Sequence, residues 1–318
     1  MSTSTGTIDV TFDGVEDFGG VDILRGGAGN DQMFGGVGTD LIDYSTTGNG
    51  VVVSISGGFA DGDGHDTFSG IEGVIGSEYS DTILGGSGSN IIFAGGGNDS
   101  VEGGSGNDAI HDGQGIDTID GGSGNDVFVA SADADNDRFD GGSGFDVVDY
   151  SEAQTAIKVD LNNGRTDGAV GKDKLYNIEG VIGGSGDDQL LGSKGDETFS
   201  GGAGDDVISG GRGYDLLTGG EGSDTFVFSK TDVNSGSNYY GFDTITDFGA
   251  GDKLDFSSFG SKNHPLDLAH DVHLNETSAG TMVSIDFGGN AGFVDVALLD
   301  GVHGVDMSDL ISSGHFIV

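Results

Sequence analysis

Three observations in the sequence predict an all-β solenoid of very short strands. A nine-residue phrase recurs in phase along much of the 318-residue chain. Glycine supplies 66 residues and proline one, so tight turns abound and a collagen-like repeat is excluded. Each phrase closes on three residues with one large apolar side chain at their centre, which suits a short strand turned inward on one face. The charge excludes several partners: 54 acidic against 11 basic residues leave a formal −43, which repels nucleic acid and anionic lipid. Without cysteine there is no disulfide framework and no thiolate metal site. Apolar runs are far too short for a transmembrane segment, and MSTSTGTIDVTFDG lacks the basic and apolar regions of an N-terminal secretion signal.

In chain order, a short first block reads GGAGNDQMF from Gly26 and GGVGTDLID from Gly35. A degenerate copy, GSEYSDTIL at Gly76, leads into GGSGSNIIF, AGGGNDSVE, GGSGNDAIH, DGQGIDTID and GGSGNDVFV from Gly85. GGSGFDVVD stands alone at Gly141. From Gly183 a second block reads GGSGDDQLL, GSKGDETFS, GGAGDDVIS, GGRGYDLLT and GGEGSDTFV. The consensus is G-G-x-G-x-D-x-U-x, with U apolar.

Glycines at positions one, two and four are expected to form turns with φ > 0, where a Cβ would clash. The inward residues U are Met33, Ile42, Ile83, Ile92, Val101, Ile110, Ile119, Phe128, Val148, Leu190, Phe199, Ile208, Leu217 and Phe226. Burying one such side chain contributes roughly 1.5–3 kcal/mol. Ordering nine residues costs on the order of 9–18 kcal/mol in backbone entropy. Strand hydrogen bonds offset part of the difference, but the position-six carboxylates stack in rows and repel, so a cation is needed between turns.

If two phrases make one turn, loops 18 residues apart stack on the same edge. Loops starting at 76/94, 85/103, 94/112, 103/121, 183/201, 192/210 and 201/219 have this spacing, giving seven candidate sites. Their aspartate and carbonyl oxygens form an all-oxygen donor set, which suits Ca²⁺ with six to eight ligands and suits Mg²⁺ poorly.

The phrase is the signature of the repeats-in-toxin (RTX) proteins, which this chain resembles over most of residues 19–227. The resemblance implies a right-handed parallel β-roll, with several Ca²⁺ ions between turns, that folds outside the cell. On the resemblance the metal-binding residues are Asp99, Asp108, Asp117, Asp126, Asp188, Asp206, Asp215 and Asp224, with Asp31, Asp40, Asp81 and Asp146 from outlying copies. The loops that hold them include Gly85, Gly88, Gly103, Gly106, Gly121, Gly124, Gly201, Gly204, Gly219 and Gly222. Asn90 and Glu197 replace the aspartate of their copies, and Ala94 and Asp112 replace the first glycine; those sites are expected to be weaker or empty.

A longer repeat lies inside the first. Gly36–Leu84 and Gly142–Leu191 share G-x-G-x-D-x-x-D-Y-S, alternating apolar residues and I-E-G-V-I-G, which reads as a wider rung replacing two calcium loops. Tyr44 and Tyr150 read as packed tyrosines with bonded hydroxyls. The expected domains are residues 1–18, an N-terminal strand or cap carrying TIDVTF; 19–227, the roll, with inserts at about 43–75 and 149–182; and 228–318, a β-rich cap and secretion signal. GFDTITDFGAGDKLDFSSF, with Phe242, Phe248, Phe256 and Phe259, resembles the segment closing the roll of serralysin-type proteases. TMVSIDF and FVDVALL, either side of GGNAG, read as a hairpin, and DMSDLISS as a helix capped by Asp306 or Ser308. The ending His315-Phe316-Ile317-Val318 resembles the terminal motif of type I secretion substrates, with His315 in the usual acidic position.

No catalytic constellation emerges. H-E-x-x-H and G-x-S-x-G are absent. The histidines are His65, His111, His264, His270, His273, His303 and His315; three lie in NHPLDLAHDVH but read as surface residues. The reading is a non-enzymatic, secreted, calcium-binding extracellular factor exported by the type I machinery, resembling the rhizobial nodulation-signalling RTX proteins; Met1 favours a stand-alone chain. The alternatives are the folding and export module of a larger secreted protease, lipase or alginate epimerase, and a module binding extracellular polysaccharide or a host surface.

Overall fold

A computed structural model describes residues 20–235, 238–239, 241–260, 266–286 and 292–318. The expected TIDVTF strand, His264 and the hairpin turn at 287–291 lie outside them. The chain divides into two compact units, Met1–Asp149 with Val170–Ile178, and Tyr150–Ala169 with Glu179–Val318.

In each unit the chain coils as a β-roll between two mostly parallel sheets, because every phrase is long enough for one strand and one turn only. In the first unit one sheet runs Ile23–Leu24, Leu41–Asp43, Gly73–Ile75, Ile91–Phe93, Ala109–His111, Val127–Val129 and Val147–Asp149. The facing sheet contains Thr82–Gly86, Ser100–Ser105, Thr118–Ser123, Arg138–Ser143 and Lys174–Tyr176. The register advances by two phrases: Val101 lies beside Ile83 and Ile119, and Ile110 beside Ile92 and Phe128. The second unit repeats the plan. Gln189–Leu191, Val207–Ser209 and Thr225–Val227 form one sheet and Gly180–Ile182, Thr198–Ala203 and Leu216–Glu221 the other.

The core is the column of U residues. All fourteen named from the sequence are at most 1% exposed. Phe139, Val74, Val181, Ile245 and Leu254 extend the columns through coils whose glycine pattern is lost. Coil spacing near 4.8 Å brings successive U side chains into contact, so a residue with little core of its own borrows one from its neighbours.

The first insert departs from a wider rung. Val52–Ser54, Phe59–Asp61 and His65–Ser69 form an antiparallel meander inside one sheet; its outer strands run parallel to Thr82–Gly86 and Gln32–Phe34. Three strands stand where a coil gives one, because tight turns reverse the chain at Gly58 and around Gly62 and Gly64, all with φ > 0. Tyr44 is buried against this meander, its hydroxyl donating to Asp66 Oδ2 at 3.0 Å. In the second unit Ile157–Asp160 and Arg165–Gly168 make the corresponding hairpin, and Tyr150 is fully buried.

The sheets of the second unit continue beyond Phe228, through Asp243–Ile245 and Lys253–Asp255. The predicted hairpin is present as Gly280–Ile285 against Val294–Asp300, with Val272–Glu276 as an unexpected third strand. The helix is Met307–Ser312, capped by Asp306, which accepts the Asp309 amide at 2.9 Å. The final strand, Phe316–Ile317, pairs with Lys253–Asp255, and Phe316 packs on Phe256 with ring centroids 5.9 Å apart.

Replacing wholly buried Ile119 by alanine should lower the stability of the folded chain by about 2–5 kcal/mol. The neighbouring Val127→Ala, on a side chain 37% exposed, should change it by less than about 1 kcal/mol. Denaturant unfolding of the two variants checks the inward and outward assignments.

Candidate metal centre

The position-six carboxylates form ladders along the loop edges. Each turns one oxygen back onto the amide of the equivalent residue one coil earlier. Asp99 Oδ1 accepts from Asp81 N at 2.7 Å, Asp117 from Asp99 at 2.7 Å, Asp108 from Asn90 at 2.7 Å and Asp126 from Asp108 at 2.8 Å. In the second unit Asp206 accepts from Asp188 at 2.8 Å, Asp224 from Asp206 at 2.9 Å and Asp215 from Glu197 at 2.8 Å. The ladder answers a turn's need for a partner to its buried amide, and it fixes each carboxylate inside the loop.

The second oxygen divides the loops into two states. Where the glycines at positions two and four have φ > 0, as at Gly104/Gly106 and Gly122/Gly124, that oxygen has no hydrogen-bond partner. Buried Oδ2 atoms of Asp31, Asp40, Asp99, Asp108, Asp117, Asp126, Asp146, Asp206 and Asp215 are all left so. Asp224 has the same loop glycines, Gly220 and Gly222 at φ > 0, but its Oδ2 is not among the buried unpartnered atoms. The loops starting at 76, 85, 183 and 192 contain no residue with φ > 0, and there the position-two amide closes onto the side chain. Ser77 N donates to Asp81 Oδ2 at 2.6 Å, Gly86 N to Asn90 Oδ1 at 2.8 Å, Gly184 N to Asp188 Oδ2 at 2.8 Å and Ser193 N to Glu197 Oε2 at 3.2 Å. These are the first nonapeptide loops after each insert. Asp81 and Asp188 therefore have both oxygens engaged by the chain itself, and Gly85 and Gly88 lie in a closed loop.

The position-one glycines do not have φ > 0, contrary to expectation. Gly103, Gly121, Gly201 and Gly219 face inward, and a Cβ on any of them would run into the carboxylate of its own loop. Proximity, rather than backbone angle, is what requires glycine there.

Spacing of complete phrases missed several members of the ladders. Asp66 accepts from Asp31, Asp137 from Asp117, Asp173 from Asp137, Asp243 from Asp215 and Asp252 from Asp224. All five are buried. Each precedes an inward apolar residue by two, as in Asp66-Thr67-Phe68 and Asp252-Lys253-Leu254. The tripeptide D-x-U is thus the signal that survives when the glycines are lost. Glu72 fills the same slot with a longer side chain and accepts from Asp40 at 3.0 Å. Asp112, in place of a first glycine, adds another buried carboxylate with an unpartnered Oδ2.

These carboxylates are costly to ionise without a cation. Burial raises Asp99 to about 7, with Asp117 and Asp81 adding and the Asp81 amide opposing. Burial likewise raises Asp117 to about 7, Asp206 to about 7, Asp108 to about 6, Asp137 to about 6 and Asp112 to about 8, each with neighbouring aspartates adding. The unpartnered oxygens and the carbonyls of the stacked loops make an all-oxygen set that fits a hard divalent cation. Among the described residues no three acidic or histidine side chains form a metal-holding group by themselves. The histidines are engaged elsewhere: His270 Nδ1 lies 2.8 Å from Asp267, His303 Nδ1 2.7 Å from Glu276, and His273 stacks on Phe293.

Comparison with known families places the RTX calcium-binding nonapeptide repeat at residues 18–46, 75–110, 102–136 and 111–148. The Peptidase M10 serralysin C-terminal family matches residues 137–296, half of the chain. No curated protein matches. Similar solved structures include the AlgE6R3 subunit of the Azotobacter vinelandii mannuronan C5-epimerase, at 23% identity and a TM-score of 0.29, covering 59% of this chain and 80% of that one. The extracellular lipase LipA of Serratia marcescens matches at 19% identity and a TM-score of 0.26, over 75% of this chain and 40% of the lipase.

The raised carboxylates dictate a pH dependence for the metal-free chain. A carboxyl whose folded value exceeds its ordinary 3.8 supports the fold fully below about pH 4 and loses that support as pH rises through about 6–8. In a chelator, strand content by circular dichroism should therefore be higher at pH 4 than at pH 8. Equal content at both would contradict the assignment of these groups as buried.

Proposed function

The chain belongs to the RTX calcium-binding proteins with a serralysin-type C-terminal region, and from that premise we propose that it is a secreted protein folded by Ca²⁺ outside the cell. It acts there without catalysis, as a binding or signalling factor. The observation that carries this reading is the row of buried, unpartnered Oδ2 atoms on successive coils. Calcium between coils supplies the positive charge those rows lack. Asp31, Asp40, Asp99, Asp108, Asp117, Asp126, Asp146, Asp206 and Asp215 would hold it with loop carbonyls, joined by Asp224. Asp81 and Asp188 serve as chain-satisfied starts of their rows.

Export follows from the same electrostatics. At low cytosolic calcium the carboxylate rows resist folding, so the chain stays open for a type I channel. In the folded unit the ending is tied to the sheet, where Leu254 N donates to the His315 carbonyl and Phe256 N to the Ile317 carbonyl, with Val318 exposed.

A second reading is favoured by one observation, the serralysin C-terminal match over 137–296. It makes this chain the folding and export module of a larger secreted enzyme. The intact mass of the native secreted protein separates the two readings.

Calcium titration followed by far-UV circular dichroism should give a steep coil-to-strand transition that magnesium does not reproduce. Each site at a hundredfold excess over Kd adds about 2.7 kcal/mol. A chain already folded in chelator at neutral pH would overturn the proposal. Asp108→Asn should lower the calcium bound per chain by at least one ion, by elemental analysis after dialysis, whereas Asp81→Asn should leave the count unchanged.

A further inference from the structure

Position one of the phrase is glycine in every copy but two, which carry Ala94 and Asp112. The loop itself gives the reason, because a Cβ at Gly103, Gly121, Gly201 or Gly219 would run into the position-six carboxylate. In DGQGIDTID the chain puts a second carboxylate at that place. Asp112 and Asp117 are each 1% exposed, and the Oδ2 atom of each is buried without a hydrogen-bond partner. Among the described residues no other copy holds two such oxygens in one loop. Their first oxygens are already used. Asp112 Oδ1 accepts the Gly113 amide at 2.6 Å and the Ser131 amide at 2.9 Å, and Asp117 Oδ1 accepts the Asp99 amide at 2.7 Å.

The loop on the next coil is also unlike the rest. Residues 130–137 read ASADADND, two residues longer than a nonapeptide loop and without glycine. The ladder step there spans 20 residues, with Asp117 N donating to Asp137 Oδ1 at 2.7 Å. Ser131 joins the two loops: its hydroxyl donates to the Gly113 carbonyl and lies 3.1 Å from Asp133 Oδ2. Asp133 in turn accepts the Asp135 amide at 2.9 Å. Both are half-buried, so this loop adds carboxylates beyond the one that a nonapeptide loop supplies. Among the described residues none of Asp112, Asp117, Asp133 and Asp135 makes an ion pair.

We propose that Asp112 and Asp117, facing the loop 130–137, form a calcium site distinct from the nonapeptide sites and the tightest on the chain. A nonapeptide loop offers a cation one carboxylate; this loop offers two, each held by the chain through its other oxygen. All-oxygen sites gain affinity for Ca²⁺ with ligand charge and rigidity. Asp112 then strengthens its site, where the loss of a glycine alone suggests weakening. The inference rests on the calcium reading of the chain and ranks its sites.

The test is equilibrium dialysis of the full chain against buffered free calcium, with bound metal read by elemental analysis. At a free calcium tenfold below the midpoint of the circular dichroism transition, the unmodified chain should retain one ion. Asp112→Asn keeps an acceptor for the two amides and removes the charge, whereas Asp112→Gly restores the consensus. Each variant should need at least tenfold more free calcium to retain that ion, with strand content at saturating calcium unchanged. Should one variant fail to fold, the other decides. Full retention in the Asn variant would reduce Asp112 to a turn-forming residue and overturn the proposal. Equal or tighter binding in the Gly variant, or no ion retained by the unmodified chain, would overturn it too. Failure of the calcium reading itself is seen separately, as a missing strand transition at every calcium concentration.

Discussion

Like-charged carboxylates stacked one coil apart are the constraint on which the rest of this structure depends. Neighbouring rungs bring their charges within about 5 Å, where two unit charges at an effective dielectric near 20 repel by on the order of 3 kcal/mol. A single U residue per phrase cannot overcome that along a whole row. The chain meets part of the burden by giving each carboxylate one backbone amide from the preceding coil. The remaining oxygen has no partner on most coils, and a cation bound there by the folded state alone would link folding to its concentration.

The two loop states show how local backbone geometry decides which carboxylates depend on that cation. With φ > 0 at positions two and four, the loop amides turn away from the aspartate and leave its Oδ2 alone. In the first loops after each insert the position-two amide turns inward instead, and the carboxylate is served by its own loop. Asn90 and Glu197, the two departures from aspartate, both fall in closed loops. Both departures therefore sit in loops where the position-two amide already bonds the side chain.

Capping follows a different logic, apolar rather than ionic. Phe228, Phe256 and Phe259 are buried at the end of the second unit, with Phe228 and Phe259 both against Phe256. The final strand covers the sheet edge that Lys253–Asp255 would otherwise expose. The terminal residues that the sequence marks as an export signal are thereby part of the finished fold. Phe316 and Ile317 pair with Leu254 and Asp255, and the His315 carbonyl accepts from Leu254 N.

Much of this was legible in the sequence, because a nine-residue period dictates register: every U residue it named is buried, and two phrases make one coil. The packed Tyr44, the hairpin and the C-terminal helix were legible as local patterns, whereas the choice of Asp306 over Ser308 as the cap was left to the structure. Asp66, Asp137, Asp173, Asp243 and Asp252 were missed because the eye follows glycines, whereas the ladder needs only D-x-U. The antiparallel meander was hidden because alternation marks a strand without giving its direction. The orphaned or satisfied state of each carboxylate depends on which coil lies beneath which. That is a long-range fact, fixed by stacking across 18 or more residues, and only the tertiary structure decides it.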